Sequence, residues 1–179
     1  MSSEQGRYQV RFDWGAPGAA AIGGDAHVIV WADALGEDPV PLQDLPGSAA
    51  VVHATLPSAK AVADWVMALQ LALKARLAIA VIAAGSHRAD GSWRTAVEDL
   101  LAAGAVIDAL GALGLDATSP EAAAAEAAYS GLRGATGHLI TAAVTASELA
   151  DRPSPAQGRV DPALGVEDVQ VLRRHPDAD

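Results

Sequence analysis

Two stretches constrain the fold more than any others: "HVIVWA" (His27–Ala32) and "LAIAVIAA" (Leu77–Ala84) are unbroken apolar runs of strand length. A strand with one wet face alternates polar and apolar residues, so a continuous run calls for cover on both faces, as in a parallel sheet between helices. "AAVVHAT" (Ala49–Thr55) is a weaker run of the same kind, and "YQVRF" (Tyr8–Phe12) alternates and is rich in β-formers.

Helix patterns lie between these strands. "PGAAAIGG" (Pro17–Gly24) is short, whereas Pro57 to Arg76 carries Val62, Trp65, Val66, Leu69 and Leu73 at the spacing of one buried face. Thr95–Leu113 follows, then a helix opened by "SPEA", with Ser119 as N-cap, Pro120 in the first turn and Glu121 at the positive end of the dipole. Strands alternating with helices predict an α/β fold, a layered sheet with flanking helices. A chain of 179 residues that is 51% hydrophobic suits a single domain over residues 1–179, with about 1–6 and 175–179 expected to be disordered. "DRPSPAQGRVDPALG" (Asp151–Gly165) reads as a surface connector and "VEDVQVLRR" as a returning edge strand.

Composition removes several functions. A net charge of −10, with Lys60 and Lys74 the only lysines, argues against nucleic acid as a partner, since phosphate-backbone binding needs clustered cations. The absence of cysteine excludes disulfides, thiolate catalysis and Cys-ligated metals. No apolar run is long enough to span a bilayer and the polar N-terminus has no leader pattern, so the expectation is a cytoplasmic protein with no membrane partner. "GAPGAAAIGG" is neither a dinucleotide fingerprint nor a Walker sequence.

The chemistry-bearing stretch is "TAVEDLLAAGAVIDAL" (Thr95–Leu110). Thr95-Ala96-Val97-Glu98 fits a capping box, which would give Glu98 a purely structural task. Asp99 lies ~100° further round the helix and faces either solvent or a cleft. The loop "AGSHRADGSW" leaves a strand and enters this helix, at the carboxyl edge where open α/β sheets bind ligands, and Asp33 ends another strand at the same edge. Asp33 and Asp99, with or without Glu98, would form an all-oxygen set suited to Mg²⁺, although strand-end aspartates also cap turns. His87 is either an acid–base group or an exposed loop residue, and Arg88 and Arg94 are either cations beside the site or solvated. His53 and His138 have no partner at metal spacing and read as structural. The four tryptophans, Trp14, Trp31, Trp65 and Trp93, are scattered and are expected to pack in the core or at a subunit contact.

Three blocks, "VRFDWGAPGAAAIGGDAHVIVWAD", "VIAAGSHRADGSWRTAVEDLLAAGAVIDAL" and "SPEAAAAEAAYSGLR", taken in this order, resemble the 2-phosphosulfolactate phosphatases, a family of magnesium-dependent hydrolases. The resemblance implies a metal set of Asp33, Glu98 and Asp99, with Asp33, Asp99 and Arg94 as catalytic residues. His87 and Arg88 would meet a small anionic phosphoester, and Mg²⁺ would be the cofactor. Asp33 leads into "ALGEDPVPLQDLPG" in place of the family's Arg and hydroxyl run, the chain contains no asparagine, and one strand–turn–helix unit is absent, so it is shortened relative to the family. Because each lost donor to a phosphoryl group costs on the order of 10²–10³ in rate, the alternative expectation is a catalytically degenerate homologue that binds a small anion or acts through protein contacts. A homo-oligomer covering the surface exposed by the missing unit is expected in either case.

Overall fold

The computed structural model describes residues 4–36, 40–151 and 169–178. Strands β1 (Val10–Trp14), β2 (Val28–Ala32), β3 (Ala50–Ala54) and β4 (Ile79–Ala83) run parallel in the order β1-β4-β2-β3, and β7 (Gln170–Arg173) adds to β3 antiparallel at the edge. A separate two-stranded hairpin, β5 (Ser86–His87) with β6 (Trp93–Arg94), follows β4. The fold is therefore mixed α/β in one layered domain, as the apolar runs predict.

Every residue of β2, β3 and β4 is buried, and the period of two sends alternate side chains to the two faces. Val28, Val30, Ile79 and Val81 pack under α2 (Ala59–Leu73), α3 (Val97–Ala112) and α4 (Pro120–Leu132), while Ile29, Trp31, Ala80 and Ile82 face α1 (Gly15–Ile22). A fully buried Val or Ile side chain contributes roughly 1.5–3 kcal/mol, so the six Val and Ile positions among these are a large part of the driving force. Among its described residues, the connection between β2 and β3 contains one 3-10 turn, Leu42–Asp44, and Leu42 and the following Leu45 pack on the α1 face.

Sequence boundaries shift for local reasons. The long central helix starts at Ala59, because Thr55 and Ser58 form a side-chain turn (Thr55 N–H to Ser58 Oγ, 2.9 Å), and it stops at Leu73 because Lys74 turns left-handed at φ 49°. Ser119 caps α4 as expected, its hydroxyl accepting the Ala122 N–H at 3.1 Å. Near the N-terminus, the Gln5 side chain pairs with the backbone of Phe12 through two hydrogen bonds. Two short helices, α5 (Thr136–Thr141) and α6 (Val144–Asp151), close the helical layer; the expected connector from residue 152 onward lies outside the described residues. Among the described residues no helix is long and apolar enough to cross a membrane.

Among the described residues, Arg11 is the cation buried within the sheet layer, 1% exposed on β1. Its guanidinium donates to the carbonyls of Tyr8, Ile22 and Gly6 and to both oxygens of Asp25, so the strand, the end of α1 and the loop after it are held by one side chain.

Candidate functional site

The four parallel strands end along one edge of the sheet, and the loops leaving them enclose a cavity of about 810 Å³. The first turn of α1, the loops after β2 and β4, the β5–β6 hairpin and the start of α6 form its walls. Asp33, Asp99 and His87, three of the residues singled out in the sequence, line it.

Asp33 lies one residue beyond β2 and is 6% exposed. One of its oxygens accepts the N–H groups of Leu35 (3.2 Å) and Gly36 (2.7 Å), folding the chain into a turn that Gly36 completes at φ 62°. Asp99, in the first turn of α3, reaches across the sheet edge: one oxygen accepts the Ala34 N–H at 2.9 Å and the other the Gly85 N–H at 3.0 Å. A single carboxyl thus ties the loop after β2 to the loop after β4. Burial, the neighbouring Asp33 charge and Glu98 push the Asp99 carboxyl up to about 8, against the opposing pull of its two amide donors.

Glu98 does not share this cavity. One residue earlier on α3, it is turned into the interior, 1% exposed, with Oε1 lacking a hydrogen-bond partner. The capping box is not formed either, because the helix opens at Val97 with Ala96 as N-cap and no side chain caps it. Arg94 also turns away from the cavity: its guanidinium donates to Thr145 Oγ1 (2.9 Å) and Glu148 Oε2 (3.2 Å) and so fixes α6, whose Thr145 lines the cavity. Arg88 is exposed and donates to the Trp93 carbonyl at 2.8 Å, closing the hairpin loop.

Three tryptophans expected in the core or at a contact gather here instead: Trp14, Trp31 and Trp93 all line the cavity, and only Trp65 sits elsewhere, against the helical layer. Trp14 and Trp93 meet edge to face, centroids 5.8 Å apart, with Phe12 behind Trp14 at 5.6 Å. The Trp93 indole lies on Gly85 so closely that a Cβ there would come within 2.5 Å of the ring, and Gly85 also needs φ 70°. Asp13, at the end of β1, is a further lining carboxylate that sequence reasoning passed over; it accepts the Trp14 N–H at 2.7 Å. Gly18 is small for the same neighbour, since a Cβ there would lie 2.8 Å from Asp13. His53, without a partner in sequence spacing, acquires one in space: burial lowers its pKa, and Asp33, just beyond the end of the adjacent strand, opposes that in part.

Mg²⁺ takes one or two carboxylates and keeps much of its water shell, and Asp33 with a deprotonated Asp99, both lining one cavity, would supply such a sparse set. The fuller set with Glu98 is not assembled, and among the described residues no group of three or more His, Asp or Glu is arranged to hold a metal. Compared with protein-family models and with curated proteins, the chain matches none.

Proposed function

We propose that the cavity binds and hydrolyses a small phosphate monoester with the help of a divalent cation. One observation carries this reading: the first turn of α1 and the Asp33–Asp99 pair line the same cavity. The leading N–H groups of a helix have no intrahelical acceptor and attract phosphate oxygens, whereas two adjacent carboxylates attract Mg²⁺. Both poles of a metal–phosphate complex therefore have counterparts here. The three sequence blocks that resemble the 2-phosphosulfolactate phosphatases supply these same residues, which adds support.

Asp33 and Asp99 would hold the cation, which supplies charge neutralisation on the phosphoryl oxygens. Hydrolysis breaks the ester P–O bond, joins the oxygen of water to phosphorus and delivers a proton to the departing alkoxide. His87, on the hairpin wall, is assigned that transfer, since an imidazole can both accept and donate a proton. Arg94 acts at one remove, by fixing Thr145 at the rim.

The test is phosphate release from a panel of small phosphomonoesters by purified protein, with Mg²⁺ and with EDTA. Expected is Mg²⁺-dependent release that falls at least 100-fold in Asp33→Asn; no release above background from any ester rejects turnover. A second reading, binding without turnover, is favoured by the absence of any Lys or Arg among the described residues lining the cavity. Under it, Mg²⁺ and inorganic phosphate bind with no hydrolysis of the panel.

A further inference from the structure

Building on the phosphoester reading, we infer that the group carried on the phosphate is a flat ring without negative charge, held against the Trp14–Trp93 wall. At about 810 Å³ the cavity far exceeds the need of a phosphate and its waters, each of which takes about 30 Å³. The remaining space has to be matched by the rest of the ligand, and its lining decides what that can be.

Two features of the lining select the class. Its carboxyl groups, Asp13, Asp33 and Asp99, are accompanied by no Lys or Arg among the described residues, so a second acidic group on the ligand would find no basic side chain to pair with. The same cavity is lined by Trp14, Trp31 and Trp93 and by Pro17 and Leu35, which supply aromatic and apolar surface. The wall is built in advance of any ligand. Trp93 is seated on Gly85 and meets Trp14 edge to face, yet it remains 41% exposed, a large aromatic side chain held by two neighbours. Holding an exposed indole still in this way lowers the ordering cost of stacking a ring on it.

Calorimetric titration of the full chain with 2-naphthol, and phosphate release from 2-naphthyl phosphate against 2-phosphoglycolate with Mg²⁺, test the inference. Expected are measurable 2-naphthol binding, at least tenfold weaker in Trp93→Ala and recovered in Trp93→Phe, and a kcat/KM at least tenfold higher for the naphthyl ester. Trp93 is on the exposed hairpin, and a circular dichroism melt of Trp93→Ala checks that the variant is folded. A preference for 2-phosphoglycolate with no 2-naphthol binding overturns the ring assignment while leaving the phosphoester reading in place. Trp93-dependent 2-naphthol binding without phosphate release from either ester supports the ring assignment and rejects turnover. Binding of 2-naphthol that is unchanged in folded Trp93→Ala overturns the assignment of the wall.

Discussion

At the scale of single residues, Asp99 is bound to the pH response of the whole fold. Its folded carboxyl titrates near 8 against an ordinary 3.8, so the folded chain holds that proton more tightly than the unfolded chain does. The stabilisation is complete below about pH 4 and is eroded as pH rises through 8, at up to about 1.4 kcal/mol per pH unit. Thermal melts in EDTA from pH 7 to 9 are therefore expected to show a midpoint falling with pH, with the slope flattened in Asp99→Asn; an equal slope in the variant would show that Asp99 is not its source. The absolute stability of Asp99→Asn should also drop, since the amide NH₂ confronts a backbone N–H of Ala34 or Gly85. Asp33 and Asp99 were legible in the sequence because a carboxylate closing an apolar strand or opening a helix has few places to point. Trp14, Trp31 and Trp93 obeyed the same strand-end geometry and were passed over, because a tryptophan in an apolar context reads first as core. Glu98 shows the opposite failure: a matching four-residue spacing does not make a cap when the helix begins a residue away.

Between elements, the closest approach is α3 against α4, and Gly104 permits it. A Cβ at Gly104 would sit 2.3 Å from the Ala125 carbonyl oxygen and 2.7 Å from Tyr129 Cβ, and a backbone atom cannot rotate aside. Gly104→Ala is expected to push the helices apart and to destabilise by about 1–3 kcal/mol, despite the gain in helix propensity. Chemical denaturation would measure this, and a stability equal to or above that of the parent protein would refute the packing argument. The alanine-rich tract that carried no chemistry in the sequence has its physical purpose at this seam: Ala122 and Ala125 are buried where larger side chains would hold α4 away. The β5–β6 hairpin lay in a stretch that reads as a loop, whereas the sheet strands and main helices were readable from apolar runs, helical spacing and capping residues. The β2–β3 connection was not, because a crossover made of loop leaves no repeating pattern to read.

Over the molecule as a whole, the end of the chain is fastened to the opposite end of the sheet's sequence. Arg173 on β7 donates to the carbonyls of Ala49, Leu42 and Pro46, and His175 stacks on His27 with ring centroids 5.9 Å apart. His27 Nδ1 accepts the Ala78 N–H at 3.0 Å, and burial, His175 and Arg11 lower its pKa while Asp25 raises it. A lowered histidine pKa means that the folded state favours the neutral ring, so this contribution is intact above about pH 6.5 and is lost as pH falls. His53, lowered by burial, adds in the same direction. In an Asp99→Asn background, where the opposing carboxyl response is removed, acidification from pH 7 to 5 should accordingly lower the melting midpoint, and adding His27→Asn, which keeps an acceptor for Ala78 without the charge, should reduce that sensitivity; an undiminished acid response would assign it elsewhere. The seating of β7 bears on synthesis as well. Arg173 and Ala49 are 124 positions apart, so β3 emerges from the ribosome long before the strand that will flank it. Throughout that interval its backbone amides and carbonyls form a bare border open to any passing extended chain. Translation speed and chaperone supply thereby become determinants of yield for a protein whose finished sheet gives no sign of that exposure.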